Sequence, residues 1–260
     1  PQLREMARAA AGAISNWKND LRTPEEVATT ARSSLERSQA AVYADYVKHL
    51  KASNAVDFDD LILLPVFALR SSAERRALWQ ARVRHLLVDE YQDTNGCQYA
   101  LLRLLTGDAG RFTVVGDDDQ SIYAWRGARP DNLNQLAEDY PRLVVVKLEQ
   151  NYRSRSNILR TANALIDNNP HLFEKRLWSE RGPGDPVRIV EVEDEVAEVD
   201  RIAGEIVAHQ TRHRGNWGDY AVIYRSNHQV KEVELRLQAL KVPYRVSGGS
   251  SFFDRGEIRD

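Results

Sequence analysis

The sequence predicts an α/β fold, a parallel sheet with helices on both faces, preceded by an all-helical segment. Three observations predict it. Two short apolar runs, 86–88 and 112–115, end abruptly in acidic residues. That is the pattern of a strand buried on both faces and cut off at its carboxyl end. Stretches with helical apolar spacing alternate with these runs, as in a sheet built from strand–helix crossovers. The first 56 residues show helical spacing only.

Taken in order, residues 3–17 and 33–50 carry apolar side chains at helical intervals with alanine-rich interiors. Between them, Thr23-Pro24-Glu25-Glu26 joins a cap residue to a proline and two acids, a helix start. Asp57-Phe58-Asp59-Asp60 leads into an apolar helix over 61–69, and a second helix is expected over 73–82. A strand at 86 follows, then a helix opened by Thr94-Asn95 and running to 105, a strand over 112–116 and a third over 143–146. A helix over 154–168 ends at Asn169-Pro170, and Arg181-Gly182-Pro183-Gly184-Asp185-Pro186 is a loop. Strands at 187–192, 220–224 and 244–246 are expected to alternate with helices at 195–210 and 229–240, and Ile258 opens a further helix.

Composition narrows the function classes. The 260 residues are 42% hydrophobic and 28% charged, with net charge −2. A near-neutral balance excludes coating nucleic acid by bulk electrostatics, though a narrow track of arginine and aromatic residues stays open. No apolar run reaches the ~20 residues of a membrane span, and the start lacks signal-peptide character. A single cysteine, Cys97, excludes an internal disulfide and fits a reducing compartment. It has no histidine at a nucleophile's spacing and reads as a packing residue.

Three segments carry chemistry. Asp89 and Glu90 follow the first strand, where open α/β sheets bind ligands. An Asp there can hold Mg²⁺ beside a nucleotide, and a neighbouring acid can activate water; a solvated acidic turn is the plainer alternative. Gly116-Asp117-Asp118-Asp119-Gln120 follows the second strand. If the strands are neighbours, Gln120 falls near the acid pair, able to touch a γ-phosphate or an attacking water; alternatively it caps a turn. Tyr123, Trp125 and Arg126 come next, suited to stacking on and clamping unpaired bases, although Trp125 serves equally as core. After the third expected strand stand Tyr152, suited to a nucleobase, and Arg153, suited to a phosphate; the alternative is a half-buried Tyr and a surface Arg.

Together, in this order, Asp89-Glu90-Tyr91-Gln92-Asp93-Thr94, residues 115–128 and Gln150-Asn151-Tyr152-Arg153-Ser154 resemble the signature motifs of superfamily-one DNA helicases of the UvrD/PcrA/Rep type. Asp57-Phe58-Asp59-Asp60-Leu61 and the Gly-Gly and Phe-Phe pairs of 247–253 also match. Residues 14–19 and 169–177 are most similar to the bacterial Rep branch. The resemblance covers essentially the whole chain. It implies parts of two RecA-like lobes: a helical subdomain over 1–56, the later half of the first lobe over 57–147, and the early part of the second over 148–260.

The resemblance implies an ATP-dependent translocase on single-stranded DNA that unwinds duplex or forked DNA from three-prime to five-prime, in bacterial replication or repair. ATP and Mg²⁺ would be its cofactors. Its place would be the cytoplasm and nucleoid, with replication proteins as partners and no membrane. Asp89 would bind Mg²⁺, Glu90 would activate water, and Gln120 would sense the γ-phosphate. Tyr152 would stack on adenine and Arg153 would reach the γ-phosphate. Tyr123, Trp125 and Arg126 would grip single-stranded DNA, and Arg225 and Asn227 would contact its backbone. The family's Gly-x-x-x-x-Gly-Lys-Ser/Thr loop, which cradles phosphates, does not occur in this sequence. The chain is therefore expected to be an interior piece of a larger motor, inactive alone, with apolar surface exposed where the first lobe's opening strand and helix would pack. A non-catalytic module that binds DNA or a partner is the alternative.

Overall fold

The computed structural model describes residues 2–129, 131–170 and 173–247. They form two compact units, divided between Pro186 and Val187.

The first unit opens with helices α1 (Gln2–Asn19), α2 (Pro24–Thr30) and α3 (Ser34–Ala52). The expected start at Thr23 is present as a reciprocal cap. The Thr23 side chain accepts the Glu26 N–H, and Glu26 accepts the Thr23 N–H. Ser33 and Glu36 repeat the arrangement at α3. Ile14, Val27, Ala40 and Tyr43 close a small core among the three helices.

Helices α4 (Asp60–Ser71) and α5 (Ala73–Arg82) follow, and α1 is fastened to α4 by a buried cation. The Lys18 side chain is 1% exposed, and its Nζ lies 2.7 Å from both Asp57 and Asp60. Asp57 also accepts the Asp60 N–H at 2.8 Å and the Tyr46 hydroxyl at 3.0 Å. The motif Asp57-Phe58-Asp59-Asp60 is thus a receptor for a buried lysine. An ammonium deprived of water is stable only with such partners.

Strand β1 (Leu86–Val88), helix α6 (Gly96–Thr106) and strand β2 (Phe112–Val114) come next. β1 and β2 pair in parallel with Leu86 opposite Phe112 and Val88 opposite Val114. The pairing continues past both strands, with Val115 N–H donating to Val88 O and Tyr91 N–H to Val115 O. Tyr91, Leu102 and Leu136 fill the core beside this sheet. Cys97, the single cysteine, is buried with Leu63 and Val66, and burial pushes its thiol up to about 11. That is the packing role read from sequence. Helix α7 (Asn132–Asp139), which spacing alone did not reveal, and helix α8 (Ser156–Ile166) complete the unit.

The second unit holds α9 (Glu195–His213) and α10 (Val230–Ala239), packed through Ala203, Leu237 and Val242.

Four expected strands are absent among the described residues. Residues 143–146, 187–192, 220–224 and 244–246 belong to no strand, and the sheet among the described residues is the β1–β2 pair. Their β-branched content is real, but a strand exists only through pairing with a neighbour. Val144, Ile189 and Ile223 are 81%, 97% and 94% exposed. The Gly-Gly and Phe-Phe pairs of 247–253 and the helix expected at Ile258 lie outside the described residues, as does all of 248–260.

Candidate nucleotide and nucleic-acid site

β1 and β2 lie side by side, so their carboxyl ends bring the two acidic loops together. Glu90 takes a left-handed backbone conformation, φ 49°, as the chain turns out of β1 into the 3₁₀ turn Tyr91–Asp93. A non-glycine residue there carries a steric cost that its surroundings must offset. Here the Glu90 N–H donates to Asp89 Oδ1 at 3.0 Å, and Glu90 Oε2 accepts Gln92 Nε2 at 2.8 Å. Asp89 and Glu90 are exposed at this strand end.

Gln92 is the hub, and sequence reasoning assigned it no role. It is 1% exposed. Besides donating to Glu90, its side-chain Oε1 accepts the Asp117 N–H at 2.9 Å, and its backbone carbonyl accepts the Ser121 hydroxyl at 3.4 Å. One buried amide therefore joins the loop after β1 to the loop after β2. Its only sequence signal was an uncharged polar residue inside a segment otherwise turning outward. Gly116 makes room for it. A Cβ there would stand 2.9 Å from Gln92 Oε1 and 3.3 Å from the Gln92 nitrogen.

Asp117 organises the second loop. Its carboxylate accepts the Asp119 N–H at 3.2 Å and Gln120 Nε2 at 2.6 Å. It also accepts Lys175, which pairs with Asp118 as well and lies 3.0 Å from Asp119. Burial pushes the Asp117 carboxyl up, but the Lys175 and Gln120 hydrogen bonds outweigh it and hold the group below its ordinary range. The three carboxylates come close enough to share one cation, and the Lys175 ammonium supplies that charge. Lys175 is the second functional residue that sequence reasoning missed. It is 58 residues from Asp117, so no local pattern announces it.

Beyond Ser121 the chain presents aromatic rings. Tyr123 and Trp125 have ring centroids 6.2 Å apart. Trp125 is 72% exposed, which removes the reading of it as core. The 3₁₀ turn Ala124–Arg126 holds it out and closes at Gly127, φ 84°; Arg126 ends that turn. Arg129 N–H donates to Thr94 O at 2.9 Å, and Asn132 Nδ2 bonds the same carbonyl at 2.9 Å. These bonds tie the far end of the aromatic segment back to the turn after β1.

Tyr152 and Arg153 sit on a turn made by Asn151, whose Oδ1 accepts the N–H groups of Arg153 and Ser154 at 3.0 and 2.7 Å. Both side chains are exposed, and the Tyr152 hydroxyl donates to Gln150 at 2.8 Å. Among the described residues, no hydrogen bond joins either of them to Asp89, Glu90 or Gln120. In the second unit, Gln229 Oε1 accepts the N–H groups of Arg225 and Ser226, each at 3.2 Å, which leaves the Arg225 and Asn227 side chains exposed.

The sequence pattern of the UvrD/REP helicase N-terminal domain matches residues 2–141, and that of the UvrD-like helicase C-terminal domain matches 146–260. The chain is 54% identical over 247 residues to the ATP-dependent DNA helicase Rep of Escherichia coli K12, covering 95% of this chain and 37% of that protein. It is 45% identical over 257 residues to Rep of Buchnera aphidicola subsp. Baizongia pistaciae, covering 99% and 38%. It is 42% identical over 254 residues to the ATP-dependent DNA helicase PcrA of Leuconostoc citreum, covering 97% and 34%. The chain thus spans between a third and two fifths of the length of these relatives. With both domain patterns matched along its length, and the strand-end acids, the Gln120 loop and the aromatic segment joined at Gln92, the chain belongs to the UvrD/REP helicase family.

Proposed function

We propose that this chain is part of the working core of an ATP-driven motor that tracks single-stranded DNA and unwinds duplex and forked DNA from three-prime to five-prime. The observation that carries the reading is the Gln92 bridge. The buried Gln92 side chain holds the Glu90 carboxylate at one strand end and the Asp117 N–H of the Gln120 loop at the next, and the Gln92 backbone carbonyl anchors the start of the aromatic segment. A group that reports phosphate and a surface that stacks bases then share one rigid support. A change of nucleotide state at Gln120 reaches Tyr123 and Trp125 through a few residues of chain. The names of the relatives, ATP-dependent DNA helicases, support the same reading.

In this scheme Glu90 orients and deprotonates the attacking water, and its left-handed backbone with the Gln92 bond fixes where that carboxylate points. Asp89 offers exposed carboxylate oxygen at the strand end, the hard donor that Mg²⁺ prefers. Mg²⁺ bound with ATP neutralises phosphate charge. Gln120 keeps one amide N–H on Asp117 and has a second for a phosphate oxygen. Tyr152 stacks on the base and Arg153 approaches the γ-phosphate; their exposure supports this. Tyr123, Trp125 and Arg126 grip unpaired bases, and Arg225 and Asn227 hold the backbone. The division into a helical subdomain (1–56), a first lobe (57–147) and a second lobe (148–260) is part of the proposal. So are a role in replication or repair with replication proteins as partners, and a cytoplasmic, nucleoid-associated location. No described helix is long and apolar enough to cross a membrane.

The test is ATP hydrolysis by the full-length gene product with and without a dT oligonucleotide. The reading requires stimulation by the oligonucleotide and its loss in Gln120→Ala. Equal turnover with and without DNA would remove the coupling.

A further inference from the structure

We infer that Lys175 is a positioning residue for Gln120: its ammonium takes the place of a metal ion among Asp117, Asp118 and Asp119 and fixes the loop that senses nucleotide. The inference rests on the proposed motor activity and extends it to a residue outside the three motif segments.

The geometry is specific. Three carboxylates on consecutive residues repel one another unless a cation stands among them. An ammonium carries three N–H donors, and Lys175 Nζ meets one carboxylate oxygen from each of the three acids. The site is sheltered, with side chains 20% exposed for Lys175 and 7% and 11% for Asp118 and Asp119. The attraction is therefore screened less than at an open surface.

Asp117 connects this ion pair to the chemistry. Oδ1 takes Lys175, Oδ2 takes Gln120 Nε2 at 2.6 Å, and the backbone N–H is held by Gln92. With all three points fixed, the carboxylate cannot rotate, and the Gln120 amide inherits its orientation. Without Lys175, Asp117 Oδ1 loses the cation that fixes it, and the Gln120 amide loses the fixed partner from which it takes its orientation. Lys175 also belongs to the segment after α8, where Arg176 N–H donates to Glu149 at 2.7 Å and Asn151 N–H to Trp178 O at 2.7 Å. The same strap therefore runs from the Gln120 loop to the turn carrying Tyr152 and Arg153.

The test is a double-mutant cycle on the full-length gene product, reading DNA-stimulated ATP turnover for wild type, Lys175→Met, Gln120→Ala and the double variant. The expected result is a kcat about 10–100-fold lower in Lys175→Met, with KM for ATP nearly unchanged and no further loss when Gln120→Ala is added. Losses that multiply, or wild-type kcat in Lys175→Met, overturn the inference. If Lys175→Met does not fold, Lys175→Arg decides, since it keeps the charge but cannot place one nitrogen among three carboxylates. A loss that vanishes in the Gln120→Ala background supports the inference; a loss that persists there, or no loss, overturns it. Inactive wild-type protein would instead sink the motor reading itself, so the two failures are distinct.

Discussion

The side-chain oxygen of Gln92, a residue 1% exposed, accepts the backbone N–H of Asp117 at 2.9 Å across the ends of two parallel strands. Through it the loop bearing Glu90 and the loop bearing Gln120 form one support. Gln92→Leu keeps the volume but leaves the Asp117 N–H and the Glu90 carboxylate without that partner. The expected cost is about 1–3 kcal/mol of stability, read as a lower urea midpoint, together with loss of ATP turnover. An unchanged midpoint would show that the bridge is not structural.

Gly116→Ala probes the same contact from the other side. The added Cβ stands 2.9 Å from Gln92 Oε1, closer than atoms tolerate, with backbone at 3.3 Å behind it. Gln92 must shift, and overpacking of this kind costs about 1–3 kcal/mol. Thermal melting of Gly116→Ala alone and combined with Gln92→Ala checks the assignment, since removing the Gln92 side chain relieves most of the clash. Equal destabilisation in both backgrounds would count against it.

Trp125→Ala separates DNA grip from folding. The ring is largely exposed, so its removal leaves stability nearly unchanged. It weakens binding of a dT oligonucleotide by about 1–3 kcal/mol, roughly 5- to 150-fold in Kd. Fluorescence anisotropy measures this, and unaltered affinity would take Trp125 out of the DNA surface.

Acid sensitivity follows from Asp57 and Asp117. Burial pushes the Asp57 carboxyl up, but the Lys18 ammonium, the Asp60 N–H and the Tyr46 hydroxyl outweigh it and hold it low; Asp117 is held low by Lys175 and Gln120. A carboxylate depressed in the folded state contributes stability that is present above its unfolded value, about 3.9, and lost as pH falls through the folded value. Stability is therefore expected to fall below about pH 4, and to fall less steeply there in Lys18→Met, which also loses about 3–5 kcal/mol at neutral pH. Urea titrations at several pH values measure both effects, and an identical acid slope in the variant would contradict the pairing.

Much of this was legible in the sequence because it is written locally. The cap at Thr23, the helix Ala73–Arg82 and the strand ends at Asp89 and Gly116 each follow from a few adjacent residues. What escaped depends on distant partners. The runs at 143–146 and 220–224 have strand composition, but ladders are made with remote chain, and none forms among the described residues. Helix α7 is short, eight residues, and its apolar face rests on Leu133 and Leu136, too few for a clear period. Gln92 lies within the motif 89–94 and Lys175 within 169–177, yet neither stretch announces their roles, because an amide or an ammonium acquires meaning only from what it touches.

The most direct test of the central claim is steady-state ATP hydrolysis by the full-length gene product, with and without a dT oligonucleotide, for wild type and Glu90→Gln. The account predicts turnover stimulated by DNA and reduced at least a hundredfold in Glu90→Gln, on the order of what a general base contributes. Wild-type turnover surviving in Glu90→Gln would contradict it, because the acid at the end of β1 would then not be the group that activates water.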